Sequence, residues 1–160
     1  MKFQADKDII QLYYEKAGER MKISTKGRYA LRLMLGIALR SEGEPVSLRD
    51  VAKQEVISDK YLEQIVTPLN RAGLVRSVRG AGGGYLLTRP AQEYTVGEIL
   101  RVLEGDLTPV PCADTPQSCP RAEVCVTQEV WARVAAAVAG VVDNITLADL
   151  VQRYQEKQKV

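Results

Sequence analysis

The sequence predicts a mainly α-helical protein with a small β-hairpin wing, organised as a winged helix-turn-helix domain followed by a long dimerisation helix. Three stretches point to it. A two-turn helix, a tight turn and a longer helix follow one another between Ser47 and Gly73, which is helix-turn-helix spacing. An alternating β-prone run, a glycine-rich turn and a return strand come directly after, from Leu74 to Thr88. Beyond residue 123, apolar side chains recur every three or four positions, the spacing of a heptad seam.

Composition bounds the rest. A chain of 160 residues suits one domain, or one small domain with an oligomerisation element. With 46% apolar and only 6% aromatic residues, its core is built mostly of Leu, Val, Ile and Ala. No run approaches the roughly 18 apolar residues of a membrane span, and Met1–Asp6 lacks the apolar core of a signal peptide. The expected location is the cytoplasm, with no membrane partner. There is no histidine, which removes the commonest general base and the commonest nitrogen ligand. No paired catalytic groups or substrate-binding motif emerge, so an enzyme is not expected.

The net charge of +2 hides an asymmetry. Residues 21–90 carry twelve Lys and Arg against six Asp and Glu, whereas residues 91–160 carry six against ten. A basic first half beside an acidic second half points to a polyanion partner for one part of the chain.

Taken in order, residues 1–20 show modest helical periodicity through Ile9, Ile10, Leu12 and Tyr13. Met21 then reads as a second beginning, so these residues are either a misassigned start or a native arm. From Ser24, a plausible N-cap, Ala30, Leu33, Met34, Ile37 and Ala38 follow helical spacing until Glu42-Gly43-Glu44-Pro45 stops the helix. Ser47 and Asp50 form a capping-box pattern for a helix to about Gln54. Ser58 caps the next helix, whose buried face is Leu62, Ile65, Val66 and Leu69 and whose stop is Gly73. Gly80–Gly84 turns the hairpin between Leu74–Arg79 and Tyr85–Thr88. A phosphate-cradling loop is excluded there, because no Lys-Ser or Lys-Thr follows and the run leads into a strand. Glycine serves the hairpin tip, where φ is positive, and also lets backbone approach DNA closely.

Thr95 and Glu98 make another capping-box pattern, opening a helix to about Gly105. All three cysteines follow in one loop, with six residues between Cys112 and Cys119 and five between Cys119 and Cys125. Prolines at 109, 111, 116 and 120 forbid a continuous helix through it. An odd number of cysteines in a reducing compartment brings metal, cluster or redox roles forward.

Past the loop, Val124, Thr127, Trp131, Val134, Val138, Val141 and Ile145 form the seam, with small residues such as Ala135 and Gly140 between them. That seam is either a buried core helix or a dimer helix; the domain before it looks too small to cover it, which favours a dimer built on Trp131, Val134, Val138, Val141 and Ile145. Thr146–Asp149 caps a last helix. The expected organisation is 1–20 as an extension, 21–105 as the DNA-binding domain, 106–125 as the cysteine loop and 126–160 as the dimerisation and C-terminal helices.

Several blocks in one order resemble the Rrf-two family of bacterial winged-helix regulators, from Met21 to about Tyr154. They are Ser24–Arg32, Ser58–Gln64, Arg79–Leu87, the three cysteines, Val126–Trp131 and Asn144–Leu147. The flavour is closest to the family's IscR branch. The resemblance implies a homodimer whose recognition helices enter successive major grooves of a pseudo-palindromic double-stranded operator. Lys26, Arg28, Arg76 and Arg79 would neutralise phosphates, with Gly80 at the close-approaching wing tip. Ser58, Lys60, Tyr61, Glu63 and Gln64 would reach base edges, Gln favouring adenine and Glu accepting from cytosine N4.

Cys112, Cys119 and Cys125 look like the family's cluster ligands, since thiolates are soft donors suited to Fe–S or zinc. The departure lies in the fourth ligand. Gln128 stands where relatives of the IscR branch carry a histidine, and Arg28 where others carry an acidic residue. A 4Fe–4S cluster on three thiolates and a 2Fe–2S form both stay open, with zinc or a simple thiol switch as rivals. The expected function is a dimeric, repressing transcriptional regulator that senses cluster or redox status. The alternative is a CymR-like regulator that docks on an enzyme such as cysteine synthase, its cysteines incidental or zinc-binding.

Overall fold

The computed structural model describes residues 23–40, 43–115, 117 and 119–159, so the 1–20 extension lies outside the described residues. Among the described residues, six α-helices and one hairpin are the main regular elements: α1 Thr25–Arg40, α2 Leu48–Glu55, α3 Asp59–Arg71, β1 Val75–Val78, β2 Gly84–Leu87, α4 Val96–Glu104, α5 Val126–Val142 and α6 Leu147–Gln158. The mainly helical fold with a small wing is the one the sequence predicts. The chain divides into two compact units, one of Ile23–Gly105 with Gly140–Val160, the other containing 106–139.

In the first unit, α1 supplies Ala30, Leu33, Met34 and Ile37, all without exposed surface, and α3 answers with Leu62, Ile65, Val66 and Leu69. Both stripes follow the 3.6-residue period, so the two helices bury matching faces. Val51, Val75, Ile99 and Leu147 close the same core. Truncating such a fully buried Leu to Ala costs about 2–5 kcal/mol.

Helix-turn-helix geometry comes from local chemistry. Ser47 caps α2, accepting the Arg49 N–H at 3.2 Å, and Ser58 caps α3, accepting the Tyr61 N–H at 3.3 Å. Between them Val56 adopts φ 55° and ψ 48°, a left-handed conformation that sends its N–H to the Ala52 carbonyl. A β-branched residue pays about 1–2 kcal/mol for that conformation, and Val56, 91% exposed, has no packing to offset it. Val56→Gly is therefore expected to stabilise the unit by up to about 1 kcal/mol, once the extra freedom of glycine in the unfolded chain is deducted. Urea denaturation checks it; a destabilised variant would refute the strain.

The wing is antiparallel, with Val75 opposite Leu87 and Val78 opposite Gly84. Val46 adds an isolated antiparallel bridge to β2, exchanging both backbone hydrogen bonds with Tyr85 at 2.9 and 2.8 Å. Tyr94, fully buried, ties the wing base to α4. Its hydroxyl donates to the Leu74 carbonyl at 2.8 Å and accepts the Thr88 and Arg89 N–H groups, each at 2.9 Å. Arg89 lies over the ring, 4.4 Å from its centroid.

Three expectations need correction. Ser47 caps α2 through the Arg49 N–H, without the reciprocal bond from Asp50 that a capping box requires. Thr95 does cap α4, accepting the Glu98 N–H at 3.0 Å, but the Glu98 carboxylate turns to Arg89 at 2.7 Å instead of closing the box. That contact raises the Arg89 pKa, against the opposing effect of burial. The heptad seam is also shorter than its spacing predicts. Val124 lies in a 3-10 turn and α5 ends at Val142. Asn144 Nδ2 bonds the Gly140 carbonyl at 2.7 Å, and the Ile145 carbonyl accepts the Val96 N–H at 2.9 Å. Ile145 is thus drawn into the join between α4 and α6, not carried on the helix. Thr146 and Asp149 then form a complete capping box for α6. The two Thr146 hydrogen bonds, from backbone and hydroxyl, hold the Asp149 carboxyl below its ordinary pKa.

Candidate functional site

The recognition face follows from what α3 buries. With Leu62, Ile65, Val66 and Leu69 inward, Lys60, Glu63, Gln64, Thr67 and Arg71 are left exposed. Lys26, from the first turn of α1, joins Lys60, Glu63, Gln64, Thr67, Pro68 and Arg71 around an open concavity of about 680 Å³. A second, of about 560 Å³, runs from Arg49 past Asp59, Glu63 and Thr67 to Gly83 and Tyr85 of the wing. Glu63 and Thr67 therefore stand where both hollows meet, flanked by three cations on one side and one on the other.

The predicted DNA-contact residues divide accordingly. Lys26, Lys60, Glu63 and Gln64 are brought together. Ser58 spends its hydroxyl on the α3 cap. Tyr61 is half-buried, its ring edge-on to Tyr29 at 5.9 Å between centroids. Arg28 is exposed one turn past Thr25, to which it donates at 3.2 Å. Arg79 and Gly80 are exposed at the hairpin tip, where Gly80 takes φ 114°. Arg76 pairs with Leu86, on the opposite face of the hairpin from Ser77 and Tyr85. It lines a separate cavity with Ala38 and Arg89 and does not join the recognition face. Arg49, Thr67 and Arg71 escaped sequence reading. A signal existed: Lys60, Gln64, Thr67 and Arg71 step by 4, 3 and 4 residues, the helical complement of the buried stripe.

In the other unit, short 3-10 turns at Pro111–Ala113 and Ala122–Val124 replace a continuous helix, as the prolines require. Cys112, Cys119 and Cys125 are all unpaired thiols of intermediate exposure. Cys125 Sγ lies 3.2 Å from the Thr127 hydroxyl, which, with backbone N–H groups and Arg121, holds its pKa below that of an ordinary thiol. Gln128 donates from Nε2 to the Cys112 carbonyl at 3.3 Å. It braces the loop. As donors, three thiolates fit a soft metal or an Fe–S cluster. The backbone does not gather them, however: among the described residues no three Cys, Asp or Glu side chains converge as a metal site.

Along α5 none of the seventeen residues is buried. Val126, Val130 and Val141 expose 77%, 52% and 58% of their surface and Trp131 39%, while Val134 and Val138 are half-buried. No helix among the described residues is long and apolar enough to cross a membrane.

A helix-turn-helix with a basic recognition face and a following wing defines a winged-helix regulator of transcription. More narrowly, the chain belongs to the Rrf2 family, described as iron-dependent transcriptional regulators, whose profile matches residues 23–153. CymR of Bacillus subtilis is 42% identical over 87% of this chain and 96% of its own. Its solved structure, described as the global cysteine regulator of that organism, superposes with a TM-score of 0.71 over 82% of this chain and 97% of that one. IscR of Serratia proteamaculans is 40% identical over 82% of this chain and 79% of its own. The solved structure of T. potens IscR gives a TM-score of 0.72 at 41% identity, covering 86% of this chain and 90% of that one. Relatives of both branches thus match at similar identity, and all are regulators.

Proposed function

We propose that the protein is a homodimeric repressor-type regulator that binds a pseudo-palindromic double-stranded operator and senses Fe–S cluster or redox status through its cysteine loop. The observation that carries the DNA half is the exposed face of α3, where Lys60, Glu63 and Gln64 stand beside Lys26 and Arg71. Lys26, Arg28, Arg71 and Arg79 bind phosphate and set register without reading sequence. Glu63 and Gln64 read base edges, a carboxylate accepting from cytosine N4 and an amide pairing with adenine. Ser58 and Tyr61 hold α3 in place for them.

The sensing half rests on donor chemistry. Cys112, Cys119 and Cys125 lie in a loop without helical constraint, and when bound a cluster would supply a redox-responsive link among them. Cluster nuclearity, 2Fe–2S or 4Fe–4S, depends on what completes the ligand set, since Gln128 is an amide. Ordering the loop would favour one state of the dimer over another, by no more than the cluster's differential affinity for the two.

A second reading keeps DNA binding but moves sensing to a protein partner, with the cysteines incidental or zinc-binding. What supports it is the similarity to CymR, at an identity close to that with IscR. Anaerobic purification with iron, sulfide and zinc analysis separates the two readings.

The DNA half has its own test. Arg79→Ala is expected to weaken binding to all duplexes and lower the salt slope by about one. Glu63→Ala is expected to leave the slope alone and change which sequences are tolerated. Uniform loss across sequences in both variants would remove Glu63 from base reading.

A further inference from the structure

The N-terminal end of α1, which carries Lys26 and Arg28, is held by a residue far away in sequence. Glu104, the last residue of α4, accepts two hydrogen bonds on Oε1: from the Ser24 N–H at 3.2 Å and from the Ser24 hydroxyl at 2.6 Å. The Ser24 hydroxyl in turn accepts the Gly27 N–H at 3.3 Å. A relay therefore runs from the first turn of α1 through Ser24 to one carboxylate oxygen. It answers a need of this helix: α1 has no acidic residue in its own first turn, so Glu104 supplies the negative charge that favours a helix N-terminus.

Gly27 fits the same reading. It is buried, and a Cβ there would run into Glu104 Oε1, with the carboxyl carbon and Cγ only 3.0 and 3.2 Å away. The first turn of α1 leaves room for this carboxylate by having no side chain at that position. Lys26 and Arg28 flank Gly27, so whatever seats Glu104 also sets where those two cations start. Glu104 sits at a junction as well: Gly105, with φ 75°, ends α4, and Asp106 begins the unit that carries the cysteines.

We infer that Glu104 is a positioning residue for DNA binding, its carboxylate holding the N-terminal end of α1 so that Lys26 and Arg28 meet phosphate. The inference rests on the phosphate-binding reading of those two residues. Glu104 itself need not touch DNA; as an anion on that face it would repel it. Its removal should therefore raise affinity if charge alone mattered, and lower affinity if it positions α1.

The experiment uses the full-length chain and a mixed-sequence duplex, since phosphate contacts need no particular operator. Affinity is measured by fluorescence anisotropy across a salt series. Glu104→Ala is expected to weaken binding several-fold and lower the salt slope by about one. Glu104→Gln, which keeps the accepting oxygen, should retain most of the affinity. Gly27→Ala, which displaces the carboxylate, should behave like Glu104→Ala. In a Lys26→Ala, Arg28→Ala background, Glu104→Ala should add nothing further, because the contacts it positions are already gone. An unchanged slope in Glu104→Ala, a rise in affinity, or a full additive loss in that background would overturn the inference. Unchanged binding by the Lys26→Ala, Arg28→Ala protein would instead remove the phosphate role of α1, and the inference with it. Should Glu104→Ala melt below the assay temperature, Ser24→Ala carries the same comparison, because it loses the hydroxyl link and keeps the carboxylate.

Discussion

Val141→Asp is expected to leave monomers at concentrations where the parent protein is a dimer, with helix content unchanged. Val141 lies on the proposed seam and exposes 58% of its surface in the single chain. An aspartate there is hydrated in the monomer, so the fold has no reason to suffer. In a two-fold dimer the substitution enters the interface twice. Burying an unpaired carboxylate costs several kcal/mol, and every 1.4 kcal/mol is about tenfold in a dissociation constant. A micromolar or nanomolar dimer would then fall apart at any ordinary concentration. Half-site binding by monomers would lose the avidity of a joined pair, so DNA affinity should drop steeply as well. Sedimentation and circular dichroism measure both parts. A protein still dimeric at low micromolar concentration would take Val141 out of the interface, and most of the α5 seam with it.

What was legible in the sequence was mostly local. Ser58 before Tyr61, Thr146 before Asp149 and the stripe Leu62, Ile65, Val66, Leu69 are short-range patterns, and each has one physical meaning: a cap or a buried face. The hairpin was legible for the same reason, since alternation and a glycine-rich turn define it within fifteen residues. The misses depend on partners distant in the chain. Spacing alone extended the seam to Ile145, but the helix end is decided by Asn144 reaching back to Gly140 and by Val96 recruiting the Ile145 carbonyl. Glu98 left its capping box because Arg89 offered a charged partner. Tyr94 carried no motif at all, and its value comes from Leu74, twenty residues earlier. The base-reading set was half legible: the pattern located α3 and its exposed face, whereas the use of Ser58 as a cap and of Tyr61 against Tyr29 needed coordinates. In the cysteine loop, residue types disclose the donors. They do not disclose convergence, because a loop of 3-10 turns has no period from which direction can be read.

Removing any one of Cys112, Cys119 or Cys125 is expected to abolish the visible absorption of anaerobically purified protein while fold and dimer survive. The reason for the loss is ligand count. With no histidine in the chain and an amide at Gln128, two remaining thiolates would have to hold a cluster without an evident protein replacement. The reason for the survival is placement. All three thiols are part-exposed, none belongs to the buried core around α1 and α3, and the turns at Pro111–Ala113 and Ala122–Val124 are held by backbone hydrogen bonds that serine can keep. Gln128→Ala loses only the 3.3 Å bond to the Cys112 carbonyl, so it should cost much less absorption than any cysteine change. Iron and sulfide analysis, a visible spectrum and a thermal melt on each variant make the comparison. Zinc bound by the same thiols would give metal without colour or sulfide. The cluster reading fails if the triple cysteine variant binds iron and sulfide like the parent, or if cluster-loaded and cluster-free protein bind every duplex equally.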